Sequence, residues 1–120
     1  MAKRILIVDD AAFMRMTLRN LLVKEGYEII GEAETGEDGV EKYGRLKPDL
    51  VTMDMVMLGE GGINAVKTII SKNPDAKILM VSAMGQQALI VDAIQAGAKG
   101  FIIKPFKAEE VVAEMKRIIG

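Results

Sequence analysis

Three carboxylates, one hydroxyl and one ammonium stand where apolar runs of this sequence stop. Asp9 and Asp10 follow Ile5-Leu6-Ile7-Val8, Asp54 follows Val51-Thr52-Met53, Ser82 follows Leu79-Met80-Val81, and Lys104 follows Phe101-Ile102-Ile103 and precedes Pro105. Brought to one place, three carboxylates repel one another, and such a cluster is costly unless a cation or the Lys104 ammonium neutralises it. The chain has no His and no Cys, so a metal there would meet oxygen ligands alone, which favours a hard ion such as Mg²⁺. A carboxylate beside Mg²⁺ can attack a phosphoryl group and carry it as an aspartyl-phosphate. The metal and a Lys would then stabilise the charge that develops during the transfer.

Whether these residues meet depends on the elements that carry them. Short β-branched runs alternate with longer stretches whose apolar residues fall at helical spacing, the pattern of strands and helices alternating around a parallel sheet. Strands are expected near Arg4 to Val8, Glu28 to Ala33, Asp49 to Met53, Lys77 to Ser82 and Lys99 to Ile103, mostly as apolar runs buried on both faces. Between them, Met14, Leu18, Leu21 and Leu22 line one helix face, Val40, Tyr43 and Leu46 a second, and Ile63, Val66, Ile69 and Ile70 a third. Ile90, Ala93 and Ile94 mark a fourth, and Val111, Val112, Met115, Ile118 and Ile119 a fifth. Gly26 and Gly97 sit where helices should end, and Pro48 and Pro74 fall just beyond helices. Right-handed βα units on one sheet make an α/β fold, a five-stranded doubly wound parallel sheet with five helices on its two faces. In that architecture ligands bind at the carboxyl ends of the strands, the rim where Asp9, Asp10, Asp54, Ser82 and Lys104 would converge.

Each of these residues taken singly has an ordinary explanation. An Asp after a strand commonly shapes a turn or caps a helix, a Ser there is an N-cap, and Lys-Pro is a solvated charge with a strand terminator. The case rests on their conjunction at four strand ends. Composition frames the rest. At 120 residues, half of them hydrophobic, the chain is expected to form one domain spanning 1–120. A formal charge of −1 gives no field for nucleic acid or an acidic membrane, and no apolar run is long enough for a signal peptide or a membrane span. The expected location is therefore the cytoplasm.

Taken together, the blocks Ile5-Leu6-Ile7-Val8-Asp9-Asp10, Asp54, Ser82-Ala83 and Lys104-Pro105-Phe106 resemble the receiver domain of two-component response regulators, and the spacing between them agrees from about Lys3 onward. The resemblance implies a flavodoxin-like sheet of strand order 2-1-3-4-5 and a protein that acts as a phosphorylation switch, catalysing its own phosphorylation and slow dephosphorylation without being an enzyme in the usual sense. It implies Asp54 as the phosphoacceptor and Mg²⁺ as cofactor. Asp10 would be a direct ligand, Asp9 one acting largely through water, and the carbonyl of Val56 a further ligand. Ser82 would hydrogen-bond one phosphoryl oxygen and Lys104 pair with another. A cis peptide would precede Pro105. Phe101 occupies the position of an aromatic that turns inward on activation, although an aromatic in a buried strand is equally explained by core packing.

Within that family, Ala11-Ala12-Phe13-Met14-Arg15, Ser82-Ala83-Met84-Gly85-Gln86-Gln87 and Ala96-Gly97-Ala98-Lys99 look most like free-standing chemotaxis receivers, for which no output domain is expected after the fifth helix. The implied partners are a histidine kinase as phosphodonor, a phosphatase, and the flagellar motor switch, which Ile90, Gln95, Lys99 and the fifth helix would contact. A phosphorelay carrier, or a receiver cut from a larger regulator, would read the same way. A nucleotide-binding enzyme of the same fold fits poorly, because Asp-Asp-Ala-Ala after the first strand replaces the glycine-rich turn that a pyrophosphate needs.

Two departures carry consequences. The family's usual Met-Pro after the phosphoacceptor is here Met57-Leu58, followed by Gly59-Glu60-Gly61-Gly62, a change expected to loosen the loop and weaken metal binding or slow phosphorylation. That loop is also the one encouragement for a pseudo-receiver that folds but takes no phosphate. Val56 and Met84, at positions that tune acyl-phosphate hydrolysis in the family, are apolar and cannot orient an attacking water, so slow hydrolysis is expected.

Overall fold

A computed structural model describes residues 2–57 and 61–120. Its elements run β1 (Arg4–Val8), α1 (Ala12–Lys24), β2 (Glu28–Ala33), α2 (Gly36–Leu46), β3 (Leu50–Asp54), α3 (Gly61–Lys72), β4 (Ile78–Ala83), α4 (Gln87–Gln95), β5 (Gly100–Lys104) and α5 (Ala108–Ile119). The five strands form one sheet of order β2-β1-β3-β4-β5 with every pair parallel, as the resemblance implied.

Strand alternation divides the core between the two faces of the sheet. Leu6, Val8, Val51, Met53, Ile78 and Met80 point to one side, where Val66 and Ile69 of α3 and Ala93 of α4 cover them. Ile5, Ile7, Leu50, Leu79, Val81 and Ile102 point to the other, beneath Leu18 and Leu22 of α1 and Val111 and Met115 of α5. Burying a side chain of this size contributes roughly 1.5–3 kcal/mol, so the two layers supply the main driving force for placing the strand ends. Continuous burial on both faces holds for the inner strands β1 and β3 and most of β4. The edge strand β2 is only partly covered, which suits its Glu28, Gly31 and Glu32.

Local signals hold the helices in place. Thr35 caps α2 by accepting from the Asp38 amide at 3.0 Å, with Glu37 and Asp38 in the first turn and Arg45 in the last. At α5 the Glu110 side chain reaches back to the Lys107 amide at 2.9 Å. Gly26 and Gly97 follow the ends of α1 and α4 with positive φ, and a Cβ on Gly97 would come within 2.9 Å of Ile70.

Two sequence expectations change. β3, β4 and β5 each run one residue further than the apolar runs indicated, to Asp54, Ala83 and Lys104. The reason is pairing: Asp54 stands opposite Val81, Ser82 opposite Ile103 and Ala83 opposite Lys104, so the ladder continues through the polar residues. In α4, Ile90 and Ala93 are buried but Ile94 is 42% exposed. The helix turns only part of its apolar surface to the sheet.

Candidate functional site

The carboxyl ends of β1 and β3 lie side by side, and β5 reaches the same rim from across β4. Asp9 ends up 1% exposed and Asp54 6% exposed, while Asp10, next along the chain, faces solvent. One carboxylate oxygen from each of Asp9, Asp10 and Asp54 lies within 4.8 Å of the others. The Lys104 ammonium lies between the two buried acids, 3.2 Å from Asp9 Oδ2 and 3.5 Å from Asp54 Oδ1. It is therefore not the solvated terminal charge that Lys-Pro alone would indicate. The Lys104–Pro105 peptide is cis.

Asp9 also fills the ordinary role of an Asp after a strand, since its Oδ1 accepts from the Ala11 amide at 2.9 Å as α1 begins. Its remaining oxygen is thereby aimed at Lys104. Asp54 accepts from the backbone N–H of Val56. Burial pushes the Asp54 carboxyl up to about 6, and the nearby Asp9 carboxylate adds to the shift; Lys104 and the Val56 amide oppose it, with a lesser upward contribution from Asp10. Excess negative charge is thus built into the pocket. A set of three acids with all-oxygen donors and one ammonium between two of them fits a hard divalent cation such as Mg²⁺.

Gly62 shows how tightly the backbone closes beneath the site. A Cβ there would sit 2.1 Å from the Asp54 carbonyl, and its amide donates to the Met55 carbonyl at 3.1 Å. Only glycine allows α3 to start this close to the end of β3. Gly61, just before it, has φ +79°. The expectation of a loosened loop falls on Leu58, Gly59 and Glu60, which lie outside the described residues.

Ser82 is fully buried and is not an N-cap; the residue capping α4 is Gln86. The Ser82 hydroxyl is bonded to the Gln86 side chain, 2.9 Å from its Oε1, with the Ala83 carbonyl 3.1 Å away. Val56 and Met84, 54% and 76% exposed, stand at the surface beside Asp54 and Ser82 in sequence. Phe101 is not core: it is 39% exposed and lines a groove of about 590 Å³ with Ile90, Val91, Ile94, Gln95 and Ile103. Of the residues expected to meet a motor partner, Gln95 and Lys99 are exposed, whereas Ile90 is on the buried face of α4.

Reading the sequence for strand ends missed two residues. Arg15, on α1, donates from Nη1 to the Asp9 carbonyl at 2.7 Å and from Nε to Glu32 at 3.0 Å, and Arg19 meets the same Glu32 at 2.7 Å. The signal was an Arg within two turns of the acidic pair on the helix that follows it. In the sequence Gln86 stands only as a member of the run from Ser82 to Gln87, and nothing in its type or spacing marks a contact with Ser82.

The sequence profile of the response regulator receiver domain matches residues 5–116. The chain is 55% identical over 118 residues to the chemotaxis protein CheY of Thermotoga maritima, covering 98% of both, and 55% identical to CheY of Bacillus subtilis over the whole of both chains. In three dimensions it resembles CheY in a CheX–CheY–BeF3–Mg complex from Borrelia burgdorferi, with a TM-score of 0.92 at 34% identity over 96% of this chain and 87% of that one. With the parallel sheet, the acidic cluster and the cationic Lys104 at one rim, the chain belongs to the response regulator receiver family, and within it is similar over its length to the chemotaxis proteins of the CheY kind.

Proposed function

We propose that this chain is one receiver domain spanning 1–120, a cytoplasmic switch that takes a phosphoryl group on Asp54 and thereby changes its affinity for a partner. The observation that carries the reading is the buried Asp54 carboxylate, within reach of Lys104 and the Asp9–Asp10 pair at the rim of the sheet. Among the described residues no helix is long and apolar enough to cross a membrane.

Asp10, Asp54 and the Val56 carbonyl would hold Mg²⁺ directly, and Asp9 largely through water. When bound, the ion offsets the clustered negative charge and supports the charge that develops on a phosphoryl group in transfer. An Asp54 carboxylate oxygen attacks phosphorus, the bond from phosphorus to the donor's nitrogen or acyl oxygen breaks, and the donor leaves with the electron pair. Lys104 stabilises a phosphoryl oxygen, which it can do while keeping its contact with Asp9. Ser82 donates its hydroxyl proton to another. The added dianion draws β4 and β5 toward a second arrangement, in which Phe101 turns inward and the α4–β5 face is remodelled. Slow dephosphorylation completes the cycle.

The donor is a histidine kinase. The Borrelia neighbour, solved with CheX, beryllofluoride and magnesium, supports Mg²⁺ here, and a CheX-like phosphatase is the expected partner for signal removal. Similarity to CheY supports output at the flagellar motor switch, on the side of the apolar groove. The deciding experiment is intact-protein mass after exposure to acetyl phosphate. A gain of one phosphoryl group that needs Mg²⁺ and disappears in Asp54→Asn is expected. No gain would leave a folded pseudo-receiver.

A further inference from the structure

The Ser82 hydroxyl has one proton, and in this structure that proton is already engaged. Gln86 Oε1 lies 2.9 Å from Ser82 Oγ and 2.7 Å from the Ala83 amide nitrogen. The second contact fixes how the Gln86 amide is turned: a backbone N–H can only donate, so the atom facing it is the carbonyl oxygen and not the NH₂ group. An amide carbonyl can only accept, so Ser82 must be the donor in the first contact. Ser82 is fully buried, and its other neighbour, the Ala83 carbonyl at 3.1 Å, is also an acceptor. Whatever Ser82 gives to a phosphoryl oxygen on Asp54 it must therefore withdraw from Gln86.

We propose that Gln86 is a positioning residue that sets the resting state of the switch: its side-chain carbonyl competes with the phosphoryl group for the single Ser82 proton. This rests on the reading of Asp54 as phosphoacceptor. Gln86 is suited to the task because it adds no charge beside the acidic pocket. It stands at the first position before α4, makes no side-chain bond to the helix amides, and is held instead by Ser82 and Ala83 across the β4–α4 turn. Releasing it frees both the hydroxyl and the start of α4, the helix that walls the apolar groove. Occupation of Asp54 and the conformation of α4 are thus coupled through one exchangeable hydrogen bond.

The test is the affinity of the full chain for beryllofluoride in saturating Mg²⁺, followed by amide NMR. Gln86→Leu removes the competing acceptor at similar size and should tighten binding about fivefold, the effect of losing one ordinary competing hydrogen bond. Gln86→Met should do the same, which covers a packing fault peculiar to either variant. In a Ser82→Ala background, with no proton left to contest, Gln86→Leu should change nothing, an outcome that a merely structural role for Gln86 would not produce. Unchanged or weaker binding in both single variants overturns the proposal, as does an equal gain in the Ser82→Ala background. The Asp54→Asn control separates the two levels: wild-type binding that is absent, or indifferent to Asp54, overturns the phosphoacceptor reading and this inference with it.

Discussion

The β1–β3 side of the active rim and its β4–α4–β5 side are built differently. On the first, every described carboxylate of the buried pair has several fixed neighbours. Asp9 meets the Ala11 amide and Lys104 through its two oxygens while Arg15 holds its carbonyl, and Asp54 meets Lys104 and the Val56 amide. On the second side, Ser82 is tied through Gln86, and Phe101, Val91 and Ile94 are 39%, 54% and 42% exposed. Holding clustered charge demands many simultaneous contacts. A region that must adopt a second arrangement needs few contacts to lose. The difference teaches where a new anion at Asp54 would have its effect: on the side with least packing at stake.

The largest expected effect measures that difference directly. Leu6, fully buried in β1, should cost about 3 kcal/mol of stability on conversion to Ala, because both transfer energy and a cavity are involved. Ile94→Ala on α4 should cost less than about 1 kcal/mol, since the side chain is already partly in water. Urea denaturation of the two variants gives both numbers. Equal costs would show that α4 is packed as firmly as the centre of the sheet.

Charge in the firm half should make the metal-free protein sensitive to pH. The Asp54 carboxyl is pushed up to about 6 from its ordinary value of 3.8, so the folded state binds this proton more tightly than the unfolded state does. Below the unfolded value both states are protonated and no penalty exists. As pH rises from about 4 through about 6 the folded protein loses stability relative to the unfolded chain, by up to about 3 kcal/mol for this single group. Melting temperatures from pH 4 to 7.5 in chelator should fall accordingly. Asp54→Asn should remove the slope and Mg²⁺ should reduce it. A flat profile for the metal-free wild type would mean that Lys104 already neutralises the pocket.

Hydrolysis of an acyl phosphate on Asp54 would need a water oriented at this rim. Val56 and Met84 flank the rim, both exposed and neither able to orient water by hydrogen bonding. Val56→Asn with Met84→Glu should hasten loss of phosphate about tenfold, less than the roughly hundredfold or more of a fully positioned acid or base, because both side chains stand at the exposed surface. Decay of the phosphorylated mass after removal of acetyl phosphate measures it. An unchanged rate would place the hydrolytic water out of reach of both side chains.

The firm half was legible in the sequence and the responsive half much less so. Asp9, Asp54 and Lys104 announce themselves because each ends an apolar run, and parallel strand ends share a rim irrespective of their separation along the chain. Their order across the sheet did not follow from periodicity; it came with the family resemblance. The ladder's extra residue in β3, β4 and β5 was invisible because hydropathy stops at the first polar side chain while backbone pairing does not. Ile94 and Phe101 look like core residues by type, and only the geometry of α4 against β5 shows them partly open. Gln86 and Arg15 act through hydrogen bonds to Ser82 and to a backbone carbonyl, contacts that neither residue type nor spacing specifies.

One atom spoils the completeness of the firm half. Thr52 lies in β3 two residues before Asp54, is fully buried, and its hydroxyl has no hydrogen-bond partner. A buried hydroxyl that finds no partner costs roughly 1–3 kcal/mol relative to water, whereas its replacement by a methyl of nearly the same shape removes the penalty. Thr52→Val should therefore raise stability by about 1 kcal/mol, or about 4 °C in Tm for a chain of this size. It should leave Mg²⁺ affinity and phosphorylation by acetyl phosphate unchanged, because the side chain contributes nothing to the acidic rim. A loss of stability would mean that Thr52 is satisfied in solution by a buried water. A change in Mg²⁺ affinity would instead draw this hydroxyl into the support of Asp54, and the boundary between the two halves would have to be moved one strand layer deeper.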